Sequence, residues 1–212
     1  MRPDNKPVLA NCSGHYCESL PIVDLRSHFL CAWSRNGLGS RPVTVVPDGC
    51  VDLLWAQGRV TVAGPDIGPQ LVDPAMTSII GMRFAPGAAA HWLGLPMSEL
   101  VNRRIDLREL WGTRADALAD SLSATRSDEE AASSFEACLA RIARTVASPD
   151  TAMALAFRRL ANVNQDSGVA SLSDELNISE RTLRRRCHYY YGYGPKVLER
   201  ILRFQKFLTL VR

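Results

Sequence analysis

The sequence predicts an α+β protein, with a small N-terminal β-barrel or sandwich and flanking helices, followed by an all-α helix-turn-helix domain. Three observations support this fold class. Short strand-like runs separated by turn residues fill the first third, helical periodicity dominates from Gly87 onward, and two short amphipathic helices meet at a corner near the end. At 212 residues and 46% hydrophobic content, the chain is long enough to bury a core.

The strand-like runs begin at Phe29, which alternates with Cys31 and Trp33 at the period of a strand. Later runs are separated by a Pro-Asp-Gly turn at 47–49 and by a loop rich in Gly and Pro at 64–74. These runs are PVTVV, CVDLLW, RVTVAG and TSIIGMRF. Short strands at this spacing indicate a barrel or sandwich.

Helical patterns follow the strands, first in GAAAHWLGL and then from Pro96 to Leu110. The segment 127–147 has one apolar stripe, which either packs on its own barrel or forms a dimerisation helix. Asp150 has the chemistry of an N-cap for the next helix. We therefore predict a boundary between domains at 1–147 and 149–212. The stripe comprises Phe135, Cys138, Leu139, Ile142 and Val146.

The stretch from Gly168 to Tyr191 reads as two helices and a tight corner. Val169, Leu172 and Leu176 predict the first helix by their spacing. Asn177 tolerates the left-handed conformation that such a corner requires, and Ser179 is a good N-cap for the second helix.

The second predicted helix, from Ser179 to Tyr191, has two different faces. One face holds Leu183, Cys187 and Tyr190, and the other holds Arg181, Arg184, Arg185 and His188. Arginine can make two hydrogen bonds to guanine in the major groove, so this face has the chemistry of a base reader. In the helix that begins at Pro195, we predict an apolar side of Val197, Ile201, Phe204 and Leu208 and a phosphate-contacting side of Lys196, Arg200, Arg203 and Lys206.

Charge is concentrated at the same end of the chain. Residues 179–212 hold nine Lys or Arg against two Glu, a balance of +7, whereas the remainder carries −4 and the whole chain +3. A basic end on an acidic body is typical of a nucleic-acid binder.

The C-terminal stretch of the chain resembles the first helix-turn-helix and linker helix of AraC/XylS-type transcription regulators. The residues that carry the resemblance are VASLSDELNISERTLRRRCHYYYGYGPKVLERILRFQKFL. The resemblance implies base contacts by Arg181, Arg184 and Arg185, and backbone contacts by Thr182 and His188. Ser173 replaces the usual Ala, and Asn177 the usual Gly. The family has a second helix-turn-helix, so we expect this sequence to be truncated before it.

Three segments of the N-terminal part resemble the sensing domain of AraC-like regulators. They are PDGCVDLLW, VAGP and GMRFAPGAAAHWLGLPMSEL. Charged residues in these strands predict an effector site at Asp48, Asp52, Trp55 and Arg83, although a purely structural ion pair is the alternative. The implied partners are double-stranded DNA, a small-molecule effector, a second copy in a homodimer, and RNA polymerase if the protein activates transcription.

Two other classes remain open. A cupin-like metal enzyme would need clustered His and carboxylate ligands, but the four His residues form no HxH or HxxxH pair, so we expect no enzyme, metal or cofactor. A non-DNA-binding interaction or dimerisation module is the other alternative. The N-terminus lacks a signal-peptide core and no stretch is apolar enough to cross a membrane, so we expect a cytoplasmic protein.

Overall fold

A computed structural model describes residues 15–36, 43–72, 78–162 and 169–211. Six strands form an antiparallel sheet in the order β1-β2-β7-β4-β5-β8, and β3 pairs with β6 in a separate two-stranded sheet. The strands are β1 His15–Ser19, β2 Phe29–Asn36, β3 Val43–Val45, β4 Asp52–Ala56, β5 Arg59–Ala63, β6 Gln70–Val72, β7 Ser78–Phe84 and β8 Arg104–Asp106.

The two faces of the large sheet differ in polarity. Residues opposite each other in an antiparallel ladder point to the same face. Leu53 lies opposite Met82 and both are buried in the apolar core, whereas Asp52 lies opposite Arg83 on the other face. Trp33, opposite Gly81, belongs to that second, polar face.

Four helices, one between β7 and β8 and three after β8, share the core of the apolar face of the large sheet. They are α1 Ala89–Leu93, α2 Arg108–Trp111, α3 Thr113–Ser123 and α4 Asp128–Ala143. Trp92 on α1 and Phe135 and Leu139 on α4 are buried in this core. The apolar stripe of α4 therefore packs within its own chain, as the first of its two alternatives predicted.

The C-terminal helices are α5 Thr151–Ala161, α6 Val169–Glu175, α7 Glu180–Tyr191 and α8 Pro195–Leu210. They enclose a second core whose centre is formed by Met153, Leu183, Cys187 and Leu198, each with 0% of its surface exposed. Buried apolar residues thus form two clusters, one in 25–143 and one in 153–202. The division into domains at 147 and 149 stays a prediction.

The strand-rich part and the C-terminal helices approach each other closely. A Cβ added at Gly192, whose φ is +87°, would lie 2.8 Å from Pro65 and from Val101. At Gly49, with φ +79°, it would lie 3.2 Å from Leu198. Glycine permits both the left-handed backbone and the close approach at these two positions.

The mixed class with a strand-rich N-terminal part is confirmed, but several details of the prediction were wrong. Pro96 to Leu110 is not a continuous helix, because it contains a 3-10 turn at Met97–Glu99 and strand β8. Strands β1, β6 and β8 were not predicted. β6 and β8 are only three residues long, so pairing with distant partners defines them better than local periodicity does.

The buried side of α8 also differs from the predicted one. Ile201 is buried as predicted, and Val197 and Leu208 are half-buried, but Phe204 is 45% exposed. The other buried positions of α8 beyond its first turn, which were not predicted, are Leu198, Leu202 and Gln205. Among the described residues, no helix is long and apolar enough to cross a membrane.

Candidate functional site

The corner between α6 and α7 has the local chemistry that the sequence predicted. Asn177 has φ +51°, and Ile178 N donates to the carbonyl of Ser173. Ser179 lies in extended backbone and its side chain accepts from Thr182 N at 3.2 Å, which makes it the N-cap of α7. Gly192 ends the helix in the left-handed conformation. These contacts define where α7 begins and ends.

The inward face of α7 is fixed on two sides. Leu183 and Cys187 are fully buried in the C-terminal core, and the Tyr191 hydroxyl donates to the carbonyl of Met153. Tyr190, predicted on this face, is only partly buried and contacts the N-terminal part, with its hydroxyl 3.4 Å from Nε2 of His91. The orientation of α7 is therefore set by both cores.

The outward face of α7 carries the predicted base-contacting residues. Arg181, Arg184 and Arg185 are all exposed. Within the part of the chain that the structure describes, none of the three forms a salt bridge. Three guanidinium groups on one exposed face are free to contact an anionic or base-edge partner.

Arg186 is directed elsewhere. Its guanidinium pairs with Asp150, whose side chain also caps α5 by accepting from Met153 N at 3.0 Å. Burial alone would raise the pKa of Asp150, but the hydrogen bond from Met153 and the hydrogen bond and charge of Arg186 lower it overall. Arg186 thus fastens α7 to α5 and does not belong to the exposed row.

The predicted phosphate-contacting residues lie close to α7 or on α8. Lys196, Arg200 and Arg203 are exposed, whereas Lys206 is half-buried. Arg203 Nη1 lies 4.0 Å from Glu199 Oε1. The backbone N of Thr182 is bound by the N-cap, and His188 lies beside Gly194 at the start of α8.

Three of the four predicted effector residues meet on the polar face of the large sheet. Arg83 Nε and Nη2 bind the two oxygens of Asp52 at 3.1 and 3.2 Å, and Nη2 also lies 3.2 Å from Asp48 Oδ2. Trp55 does not join them, because it lies opposite Ile80 and packs against the apolar core. We call Asp48, Asp52 and Arg83 the Arg83 cluster.

Burial and charge act against each other in this cluster. Burial raises the pKa of Asp52, although the charge of Arg83 opposes that change. Burial by itself would lower the pKa of Arg83, but the charges of Asp52 and Asp48 raise it well above its usual value. Arg83 Nη1 is buried and has no hydrogen-bond partner among the residues that the structure describes.

Trp33 is a member of this site that the sequence reasoning missed. Its Nε1 donates to Asp52 Oδ1 at 3.2 Å, and its ring lies against Gly81, where an added Cβ would be 2.1 Å away. The ring of Tyr16 is 5.7 Å from that of Trp33. The strand alternation placed Trp33 on one face of β2, but the pairing through β7 that brings β4 near it was not readable from the sequence.

Comparison with known proteins adds one domain match. Residues 18–106 match a domain of unknown function (DUF6597), which covers less than half of the chain and lies within the strand-rich part. No curated protein matches. Among solved structures, the chain is similar to the crystal structure of the AraC-like transcriptional activator CuxR, with 17% identity and a TM-score of 0.24, over 85% of this chain and 73% of that chain.

The described residues include no group of three or more His, Cys, Asp or Glu side chains that could hold a metal ion. The expectations that the protein is not an enzyme and has no cofactor stay predictions.

Proposed function

We propose that this chain is a sequence-specific DNA-binding transcription regulator of AraC type, with α6 and α7 as its helix-turn-helix. In this proposal α7 enters the major groove and places Arg181, Arg184 and Arg185 against base edges. The observation that carries it is the exposed arginine row, which forms no salt bridge with any described residue, on a helix capped at both ends and held by two cores.

The surroundings of the row support a nucleic-acid partner over a merely solvated face. Lys196 and Arg200 are exposed on α8, which begins beside His188 and Arg184 of α7. Cations on two adjacent helices can contact phosphates while α7 contacts bases, which is the division of labour expected of a sequence reader. Thr182, His188, Arg203 and Lys206 are the further backbone contacts of this proposal.

The N-terminal part is the sensing domain in this proposal, with the Arg83 cluster as the place where a small-molecule effector acts. Its support is the buried Arg83 with its two carboxylate partners, Asp48 and Asp52, and the Arg83 Nη1, which has no hydrogen-bond partner among the described residues. A homodimer and, for an activator, contact with RNA polymerase complete the proposed partners.

The test is selection of bound sequences from a random pool of duplex DNA. We expect an enriched motif with the wild-type chain and none with Arg184→Ala and Arg185→Ala combined. Arg158→Ala on α5, which removes an exposed arginine outside α7, serves as the control and should enrich the same motif. Enrichment that survives the double substitution would contradict the assignment of the base-reading row.

An interaction module without DNA binding is the second candidate, and one observation favours it. The end of α8 exposes a series of apolar side chains, which marks a protein-contact surface more often than a DNA-binding one. If the pool yields no motif, self-association of the wild-type chain and of Phe207→Ser is measured by sedimentation. Self-association of the wild type that is lost in Phe207→Ser would support this candidate. The series is Phe204, Phe207, Leu210 and Val211.

A further inference from the structure

The turn formed by Pro47, Asp48, Gly49 and Cys50, here called the 47–50 turn, contacts the polar face of the sheet on one side. Asp48 Oδ2 lies 3.2 Å from Arg83 Nη2, and Asp48 Oδ1 accepts from Cys50 N at 2.9 Å. The same carboxylate therefore holds both the turn and the Arg83 cluster. Any change in the Asp48–Arg83 ion pair acts directly on the turn.

The other side of the 47–50 turn contacts the C-terminal helices. Gln205 on α8 is only 6% exposed, and its Nε2 donates to the carbonyl of Pro47 at 2.7 Å. A Cβ built at Gly49 would be 3.2 Å from Leu198 on α8 and 3.4 Å from Phe157 on α5. A displacement of the turn by a few tenths of an ångström would therefore also displace atoms of α8, since packed interiors are not freely compressible.

Hydrogen bonding is incomplete on both sides of this turn. Arg83 Nη1 on the sheet side and the Tyr193 hydroxyl on the helix side are both buried, and within the described part of the chain neither has a hydrogen-bond partner. The Tyr193 hydroxyl would be 3.6 Å from a Cβ on Gly49. Buried polar groups are normally satisfied, so the hydrogen bonds on both sides of this turn are fewer than the buried groups there could form.

We propose that the 47–50 turn couples the Arg83 cluster to α8, so that loss of the Asp48–Arg83 ion pair loosens α8 against the N-terminal part. The coupling itself needs only the contacts above. Its consequence for transcription rests on the proposed function, because α8 follows α7 directly and carries the proposed phosphate contacts.

The test is amide hydrogen exchange of the full chain, comparing wild type with Asp48→Asn. Asparagine keeps the acceptor for Cys50 N and removes the charge that binds Arg83. We expect the amides of α8 to exchange about tenfold faster in the variant. Asp116→Asn, which breaks the more exposed Arg108–Asp116 pair, is the matched control and should leave α8 unchanged. Faster exchange confined to β4 and β7 would overturn the proposal.

A second variant tests the same coupling from the opposite end and covers the case in which Asp48→Asn does not fold. Gln205→Ala removes the hydrogen bond to Pro47 without touching the cluster. Coupling between two sites is reciprocal, so β4 and β7 should then exchange faster. Wild-type rates in both strands would overturn the proposal. DNA binding is measured separately on the wild-type chain. If the exchange rates show the coupling but no DNA motif is selected, the proposed function is rejected and the coupling stands.

Discussion

Neighbouring arginines on α7 lie in different surroundings because adjacent residues of a helix point about 100° apart around its axis. Arg185 points outward and is exposed, whereas Arg186 lies one position on and pairs with Asp150 of α5. Residue type therefore predicts a cation at each position, and only packing decides which cation is available to a partner. The same holds on the sheet, where Asp52 binds Arg83 while Trp55, three residues later, lies on the opposite face.

Replacing Arg185 by Ala should weaken binding to the selected DNA by about 1–3 kcal/mol and relax specificity at one base pair, because it removes the bidentate base contact that we propose for this residue. Arg200→Ala, which removes an exposed cation from α8, should weaken binding to selected and random duplexes by the same factor and reduce the salt dependence. Titrations of both duplexes at several salt concentrations measure this. Equal losses on both duplexes for Arg185→Ala would contradict its role.

Asp150→Asn should lower the melting temperature at pH 7, because asparagine can still cap α5 but cannot pair with the charge of Arg186. The folded-state pKa of Asp150 is lowered. Its stabilisation is therefore present above the unfolded pKa of about 4 and is lost as pH falls through the folded value. The difference in melting temperature between wild type and variant should therefore become smaller below about pH 4. Asp174→Asn, which removes a carboxylate at an exposed position, is the control and should leave the melting temperature at pH 7 close to that of the wild type.

At the scale of elements, the limits of α7 and α8 are set by the residues at their ends, whereas the face that each helix buries is set by its neighbours. Ser179 and Gly192 mark the limits of α7, and Pro195 occupies the first turn of α8, as their chemistry predicts. The face that α8 buries is less predictable. Gln205 is buried because the carbonyl of Pro47 accepts its hydrogen bond, while Phe204 is left largely exposed.

Gly192→Ala should destabilise the protein by about 2–5 kcal/mol, since it adds left-handed strain and a methyl group 2.8 Å from Pro65 and Val101. Gly94→Ala is the matched control, with φ +73° and open space around the added Cβ, so only the strain of about 1–2 kcal/mol should appear. Denaturant unfolding of the two variants measures the difference. Equal losses would mean that the contact at Gly192 relaxes without cost.

At the scale of the molecule, two apolar clusters are joined by contacts that leave little room for sliding. An added Cβ would lie 2.8 Å from Pro65 and Val101 at Gly192 of the helical part, and 3.2 Å from Leu198 at Gly49 of the strand-rich part. Contacts of this closeness couple the packing of the two clusters, because neither can shift without displacing atoms of the other.

We therefore expect one cooperative unfolding transition. All four Trp residues lie before residue 112, so their fluorescence reports the strand-rich part, while the far-ultraviolet circular dichroism also reports α5 to α8. The two signals should change at the same denaturant concentration in the wild type and separate in Gly192→Ala. Separate transitions in the wild type would show that the two clusters unfold independently.

Much of the candidate site could be predicted from sequence because its signals are local. The cap at Ser179, the left-handed Asn177 and the spacing of Arg181, Arg184 and Arg185 depend on residues within one or two helical turns of each other. The Arg83 cluster was only partly predictable, since Asp52 and Arg83 are 31 residues apart and meet through strand register. Trp33 was missed for the same reason.

The amino-acid sequence determined the mixed class, the ends of α7 and the outward row of arginines, because helix caps and amphipathic spacing are encoded by short stretches of chain. Tertiary structure decided which groups became partners: Arg83 with two carboxylates, Arg186 with Asp150, and Gln205 with the 47–50 turn. Those contacts form only when segments that are distant in sequence pack in one particular register. Local sequence patterns do not contain the free energy of such long-range packing.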